Sequence, residues 1–190
     1  MGLQIEDGHG SGNTVKVDEH GHLETHSVVK IEFKYASNVL GDAYSWTAIS
    51  SDIDAGDTAL YVCNNSTTKN LYIQRIYVWS DTYTQFKIHL PAYVTPAGGT
   101  EVVGKNLNTT SGKIADATAR ADETSNVFAA ANTICTVRNN EVGTDQFGQW
   151  IEFDGAIVLG YHKALAIDVI AELAAYECTI MGFYMQPEVD

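Results

Sequence analysis

The sequence is poor in cysteine, with only Cys63, Cys135 and Cys178. Three is an odd number and no two form a C-x-x-C pair, which argues against a disulfide framework and a zinc ribbon. Each lies in an apolar or strand-like run, the place of a small buried residue. Basic residues are also few. Eleven Lys and Arg stand against 24 Asp and Glu, a formal net charge of −13. Such a surface repels nucleic-acid phosphates and anionic membranes, so neither is expected as a partner. No apolar run approaches membrane-spanning length. The opening residues MGLQIEDGHG lack the basic and apolar segments of a secretory leader, so none is expected there. Catalytic signatures are missing as well: there is no G-x-S-x-G elbow, no H-E-x-x-H and no cysteine paired with a motif histidine. The expectation is a protein that is not an enzyme and uses no cofactor.

Three near-matches to ligand sites dissolve on inspection. Gly99 to Lys105 resembles a phosphate-binding G-x-x-x-x-G-K loop, but Asn106 replaces the hydroxyl that would hold Mg²⁺. The following LNTTSG is no helix whose N-terminus cradles phosphate. Asp52, Asp54 and Asp57 gather oxygen ligands, yet the position of the final bidentate glutamate of a calcium loop is Cys63. They read as a turn whose aspartates cap backbone N–H groups. Four of the six histidines lie between Gly8 and Ser27. In an extended chain His20, His22, Glu24 and His26 share a face, with neighbours about 6.6 Å apart. His20 and His22 are therefore the metal-ligand candidates. The glycines around them weaken a rigid site, and the plainer reading is an exposed arm whose charge follows pH.

What the sequence has in abundance is period-two patterning. In SVVKIEFKY, Val29, Ile31, Phe33 and Tyr35 alternate with charged residues, which predicts a half-buried strand. Further strands are predicted at Ala43 to Ile49, Thr58 to Cys63 and Leu71 to Ser80. TQFKIHLP sets Phe86, Ile88 and Leu90 against an outward Gln85, Lys87 and His89. More strands follow in NTICTVR and QWIEFDGAIVLG. The end of the chain reads as a hairpin, Ala164 to Val169 out and Tyr176 to Met185 back. Between TQFKIHLP and NTICTVR, residues 91–126 are rich in Gly, Thr, Asn and Ser. They read as a long ordered surface excursion with room for a short helix at Lys113 to Arg120. Trp46, Trp79 and Trp150 suit either core and interface packing or a sugar-binding platform. Many short strands with little helix imply an all-β, antiparallel two-sheet sandwich of jelly-roll type. It occupies residues 28–190, behind an extended N-terminal arm at 1–27.

Three stretches carry a family resemblance: IEDGHGSGNTVKVDEHGHLETHS, AGDTALYVCNNSTTKNLYIQRIYV and GKNLNTTSGKIADATARAD. They resemble structural proteins of tailed-bacteriophage virions, especially jelly-roll capsid decoration (cement) proteins. The resemblance implies a homotrimer on the phage head, made in the host bacterial cytoplasm, with the major capsid protein or other virion proteins as partner. Tail, fibre or portal-region components and a host-glycan-binding module are the rival expectations. Val15, Val17 and Leu23 keep a weak alternation through the glycines, as expected of an arm that orders by adding to a neighbour's sheet edge. They are the expected contact residues, together with Asn106 and Asn108 in the excursion. Deleting Met1 to Ser27 should leave a soluble β domain that no longer assembles or docks. Circular dichroism checks it: loss of the β signal on deletion would contradict a separable arm.

Overall fold

Period-two alternation becomes eleven strands among the residues that the computed structural model describes, 32–50, 52–90, 98–123, 132–138 and 148–187. All structural statements concern these residues, which fall in one compact unit, Glu32–Asp190. The strands are β1 (Ala43–Ser50), β2 (Thr58–Asn64), β3 (Asn70–Ser80), β4 (Gln85–His89), β5 (Thr100–Glu101), β6 (Lys105–Asn106), β7 (Ala117–Glu123), β8 (Thr133–Arg138), β9 (Gln149–Leu159), β10 (Ala164–Val169) and β11 (Tyr176–Met185). One sheet runs β6-β1-β11-β3-β9 and the other β5-β7-β2-β10-β4-β8.

Without the three strands β5 to β7, the pairings nest: β1 with β11, β2 with β10, β3 with β9, β4 with β8. That is one long antiparallel hairpin rolled up, the jelly-roll topology. The expected two-sheet sandwich is the fold found. Inward residues of the two sheets, among them Trp46, Ile73, Ile76 and Ile180 against Leu60, Val62, Phe86, Leu165 and Ile167, form one continuous core. Two tyrosines on β11 tie the layers together. Tyr176 Oη donates to Ala59 O at 3.1 Å, and Tyr184 Oη donates to Asp116 O at 2.8 Å.

Rolling the hairpin corrects one expectation. β10 and β11 have the predicted bounds but do not pair with each other. β10 lies between β2 and β4, and β11 lies between β1 and β3 in the other sheet. Alternation fixes which side of a strand is buried, not which strand lies beside it. The crossover from β2 to β3 is held by the buried Asn64. Its Nδ2 donates to Lys69 O and Leu159 O at 2.9 and 2.8 Å, while Oδ1 accepts the Ser66 N–H.

Two further corrections concern local structure. The helix expected at Lys113 to Arg120 is absent, and β7 extends the second sheet beside β2 from Asn64↔Ala117 to Thr58↔Glu123. The edge of β2 offers a full ladder, which outweighs the helix preference of alanine. Much of the expected surface excursion is thus sheet, and Glu123 is wholly buried with its carboxylate accepting the Gly98 N–H. The strand expected over Ser27 to Tyr35 also fails where it is described. Glu32–Tyr35 is α-helical and continues as a wider π turn, Ala36–Leu40, ended by the left-handed Gly41. A helix places Phe33 and Ala36 on one side, and both pack onto Ala43 and Phe183. The edge of the Phe33 ring meets Phe183 at 5.9 Å, and Tyr72 stacks on the other side at 5.3 Å.

The segment from Asn106 to Lys113 clamps this helical turn to β1. Asp42, 5% exposed, receives Lys69 Nζ at 2.7 Å and Lys113 Nζ at 3.0 Å. Asn106 Nδ2 and Ser111 Oγ both donate to Gly41 O. Gly41 has φ +63°, and a Cβ there would stand 2.5 Å from Ser111 Oγ. Gly41→Ala should therefore destabilise the domain by about 1–2 kcal/mol for the left-handed backbone alone, and by more if Ser111 must move. Urea unfolding with an unchanged m-value checks it, and an unaltered midpoint would contradict the clamp.

Candidate functional site

The outer face of the five-stranded sheet is an organised surface. Register aligns three rows across it. One runs Ser45, Met181, Arg75, Glu152; the next Thr47, Thr179, Tyr77, Trp150; the third Ile49, Glu177, Trp79. Four strands at the usual spacing make this face about 14 Å wide. Among the described residues, the helical turn packs on the end at Phe183.

Aromatic and charged groups interlock there. Trp150, 48% exposed, tilts against Tyr77 with ring centroids 5.0 Å apart. The Arg75 guanidinium carbon sits 4.5 Å over the indole, within the range of a cation–π contact. Arg75 Nε donates to Met181 Sδ at 3.2 Å, and Nη1 lies 3.7 Å from Glu152 Oε1. Tyr77 is fixed from the other side by Gly148, where any side chain would collide with its ring. The Thr47 and Thr179 hydroxyls bond each other at 2.9 Å. The result is a rigid, amphipathic platform flanked by the exposed Ile49 and Val158. It can stack against a flat ligand or pack against another protein surface.

A second constellation lies on the outward side of the other sheet. Thr58 on β2, Asp168 on β10, His89 on β4 and Thr133 on β8 form a polar row. Thr58 Oγ1 donates to Asp168 Oδ1 at 2.6 Å, and Thr133 Oγ1 lies 2.9 Å from His89 Nδ1. His89 Nε2 approaches Asp168 Oδ2 to 2.9 Å, but its direction misses the carboxylate, so it is a close contact and not a hydrogen bond. Burial, and then Lys87, holds the His89 pKa below its usual value. Burial pushes Asp168 up to about 6, against the pull of Thr58 and Lys87 and with a small push from Asp57. Hydroxyl, imidazole and carboxylate occur in the order of a nucleophilic site. However, the carboxylate does not orient the ring through a hydrogen bond, and neither described pocket is lined by these residues. The row is best read as a buried polar ladder. His89 was expected to face water with Gln85 and Lys87, yet it is only 2% exposed.

The residues singled out from sequence fall as follows. Val15, Val17, His20, His22 and Leu23 lie outside the described residues. Asn106 and Asn108 are brought together at the helical turn, with their amides engaged by Gly41 O, Lys113 O and Ser37 O. Of the tryptophans, Trp46 is core, while Trp79 and Trp150 belong to the platform. Among the described residues no group of three or more His, Cys, Asp and Glu side chains gathers as a metal site. Burial and neighbouring carboxylates raise the pKa of Asp57 and Asp122. No family model, curated protein or solved structure matches the chain.

The polar row makes a pH prediction. The folded-state pKa of Asp168 lies above its unfolded value, so protonation favours folding. Its stabilising contribution is complete below about pH 4 and is lost as pH rises through about 6. Asp168→Asn removes this titration. Relative to wild type, the variant should gain about 1.4 kcal/mol between pH 5 and pH 8. Urea midpoints across that range measure it, and a constant difference would contradict the shift.

Proposed function

We propose that this chain is a non-enzymatic structural protein of a tailed-phage virion, a capsid decoration (cement) protein that binds and stabilises the assembled head as a homotrimer. The observation that carries the reading is the platform on the five-stranded sheet. It is a partly apolar face, open among the described residues, with an arginine on β3 and a half-exposed tryptophan beside it on the edge strand β9. Trp, Tyr and Arg are the residues that dominate protein interfaces. The sequence likeness to virion decoration proteins points the same way. So does the acidic surface, which keeps a concentrated protein soluble before assembly.

The mechanism is linkage. A protein that binds only the assembled shell stabilises it by about 2.7 kcal/mol per site at a hundredfold excess over Kd. Three copies acting together multiply modest contacts through avidity, and a closed ring leaves no unsatisfied subunit surface. The second reading, a host-glycan-binding module, is favoured by one observation: Trp150 and Tyr77 are arranged so that a sugar ring can stack on them.

Purified protein mixed with undecorated capsids should bind saturably at threefold or quasi-threefold positions and raise the capsid melting temperature. Trp150→Ala should weaken that binding at least tenfold, about 1.4 kcal/mol, with the β circular dichroism of the free protein retained. Saturable quenching of tryptophan fluorescence by a glycan, without capsid binding, would replace decoration by the glycan reading. Localisation to the tail would replace it by a tail or fibre role.

A further inference from the structure

The open edge of β1 is a second feature of the same sheet. β11 pairs with β1 along its whole length, from Ala43↔Phe183 to Ser50↔Tyr176. On the opposite edge β6 pairs only with Tyr44 and Ser45. Ala43 O accepts the Leu107 N–H at 2.9 Å on that edge. By the two-residue period, Thr47 and Ile49 aim their N–H and C=O groups the same way, and no described residue meets them. A groove of about 430 Å³ runs beside them, lined by Thr47, Ile49, Glu101, Val103, Lys105 and Asp122 among others. Ile49 is 74% exposed and Val103 57%. The stretch behind this edge, Trp46 to Ser50, contains no proline, lysine or other charge. Those are the usual devices that keep an edge from pairing.

We infer that the β1 edge from Thr47 to Ile49 is an acceptor site for an added β-strand, and that its occupant is the N-terminal segment of a second copy of this chain. Four unpaired backbone groups in a row are met by extended backbone and by little else. The chain carries a donor of suitable chemistry. Thirty-one residues precede Glu32, enough to reach roughly 100 Å if extended. Within them Val15 and Val17 alternate with Lys16, and no proline interrupts. The apolar pair suits Ile49 and Val103. Lys16, with His20 and His22 beyond it, suits Glu101 and Asp122. The inference rests on the oligomeric, arm-anchored reading above and supplies its acceptor.

The test uses the full-length chain with Cys135→Ala throughout. A tagged copy carrying Val17→Cys is mixed with an untagged copy carrying Ile49→Cys under mild oxidation. A disulfide joining the two copies is expected. No disulfide, or one formed only within a chain carrying both cysteines, overturns the inference. Ile49→Pro is the companion variant. The residue turns its N–H away from β11, so the β1–β11 ladder stays intact while the open edge loses a donor. Subunit dissociation should become at least tenfold easier by sedimentation, with the β circular dichroism retained. Ile49→Lys, at a largely exposed position, gives the same reading should the proline disturb the fold. Assembly as strong as wild type in both variants overturns the proposal. Capsid binding is measured in parallel. Ile49 variants that assemble normally and bind capsids sink the edge inference and leave decoration standing. A chain that cross-links between copies but ignores capsids does the reverse.

Discussion

Every strand at the margin of a sheet presents alternate N–H and C=O groups with no partner. Satisfying those groups is the constraint from which the rest of this fold follows. A rolled hairpin buries its core but leaves each sheet with two edges. The chain answers on one side of the sandwich by sending the connection between β4 and β8 back across it. That connection first forms β5, crosses to the other sheet as β6, and returns as β7 along all of β2, with β5 on its far side. The crossing runs over Trp46 at Gly104, where a Cβ would stand 2.6 Å from the indole nitrogen. Only glycine lets the backbone pass so close. Beyond that point the segment turns to clamp Gly41 and Asp42, and among the described residues no strand pairs with the second half of β1 on this edge. The covered edge gives stability, and the uncovered one gives the sheet a place to grow.

The strands were legible because a sandwich imposes a period of two on everything it half-buries. β1 to β4 and β8 to β11 stand within a residue or two of where alternation puts them. Partners were not legible, because nothing in IDVIAELAAYECTI distinguishes a hairpin from a crossing between layers. β7 was hidden for a different reason. In ATARADE the inward residues are alanines, so the alternation carries little hydrophobic contrast and the composition favours helix. Pairing with β2 decided the matter from outside the segment. The helical turn at Glu32–Leu40 shows the converse. Its Phe33 and Tyr35 mimic a strand pattern, but the surface that Phe33 meets, Ala43 and Phe183, suits a helix that brings Phe33 and Ala36 together.

The platform was half legible. Its tryptophans were visible as aromatics on strands, and the sequence could not say which side they faced. β3 shows why. Ile73, Ile76 and Val78 point inward, and Tyr72, Arg75, Tyr77 and Trp79 point outward. The register slips at Gln74, between Ile73 and Arg75, so a simple alternation count misassigns one half. The polar row at His89 was not legible at all. Its four members come from β2, β4, β8 and β10, and no spacing in the sequence links them. Only the nested pairing brings them side by side.

The net charge decides how such surfaces can act. Copies carrying −13 each repel at long range, and that repulsion is screened beyond about 10 Å at 0.1 M salt. Contacts that overcome it must therefore be short-ranged, made of apolar area and backbone hydrogen bonds, which salt weakens little. The platform and the β1 edge are of that kind, and they lie on the same sheet. Around Trp150 the carboxylate Glu152 is already answered by Arg75, so this side of the platform adds little to the repulsion. Asp52, Asp54, Asp57 and Asp122 gather at the turn before β2 and the end of β7, and other carboxylates are spread along the chain. The domain thus separates two tasks. Charge keeps free copies apart at a distance, and one sheet, left open along its face and its edge, holds them once they meet.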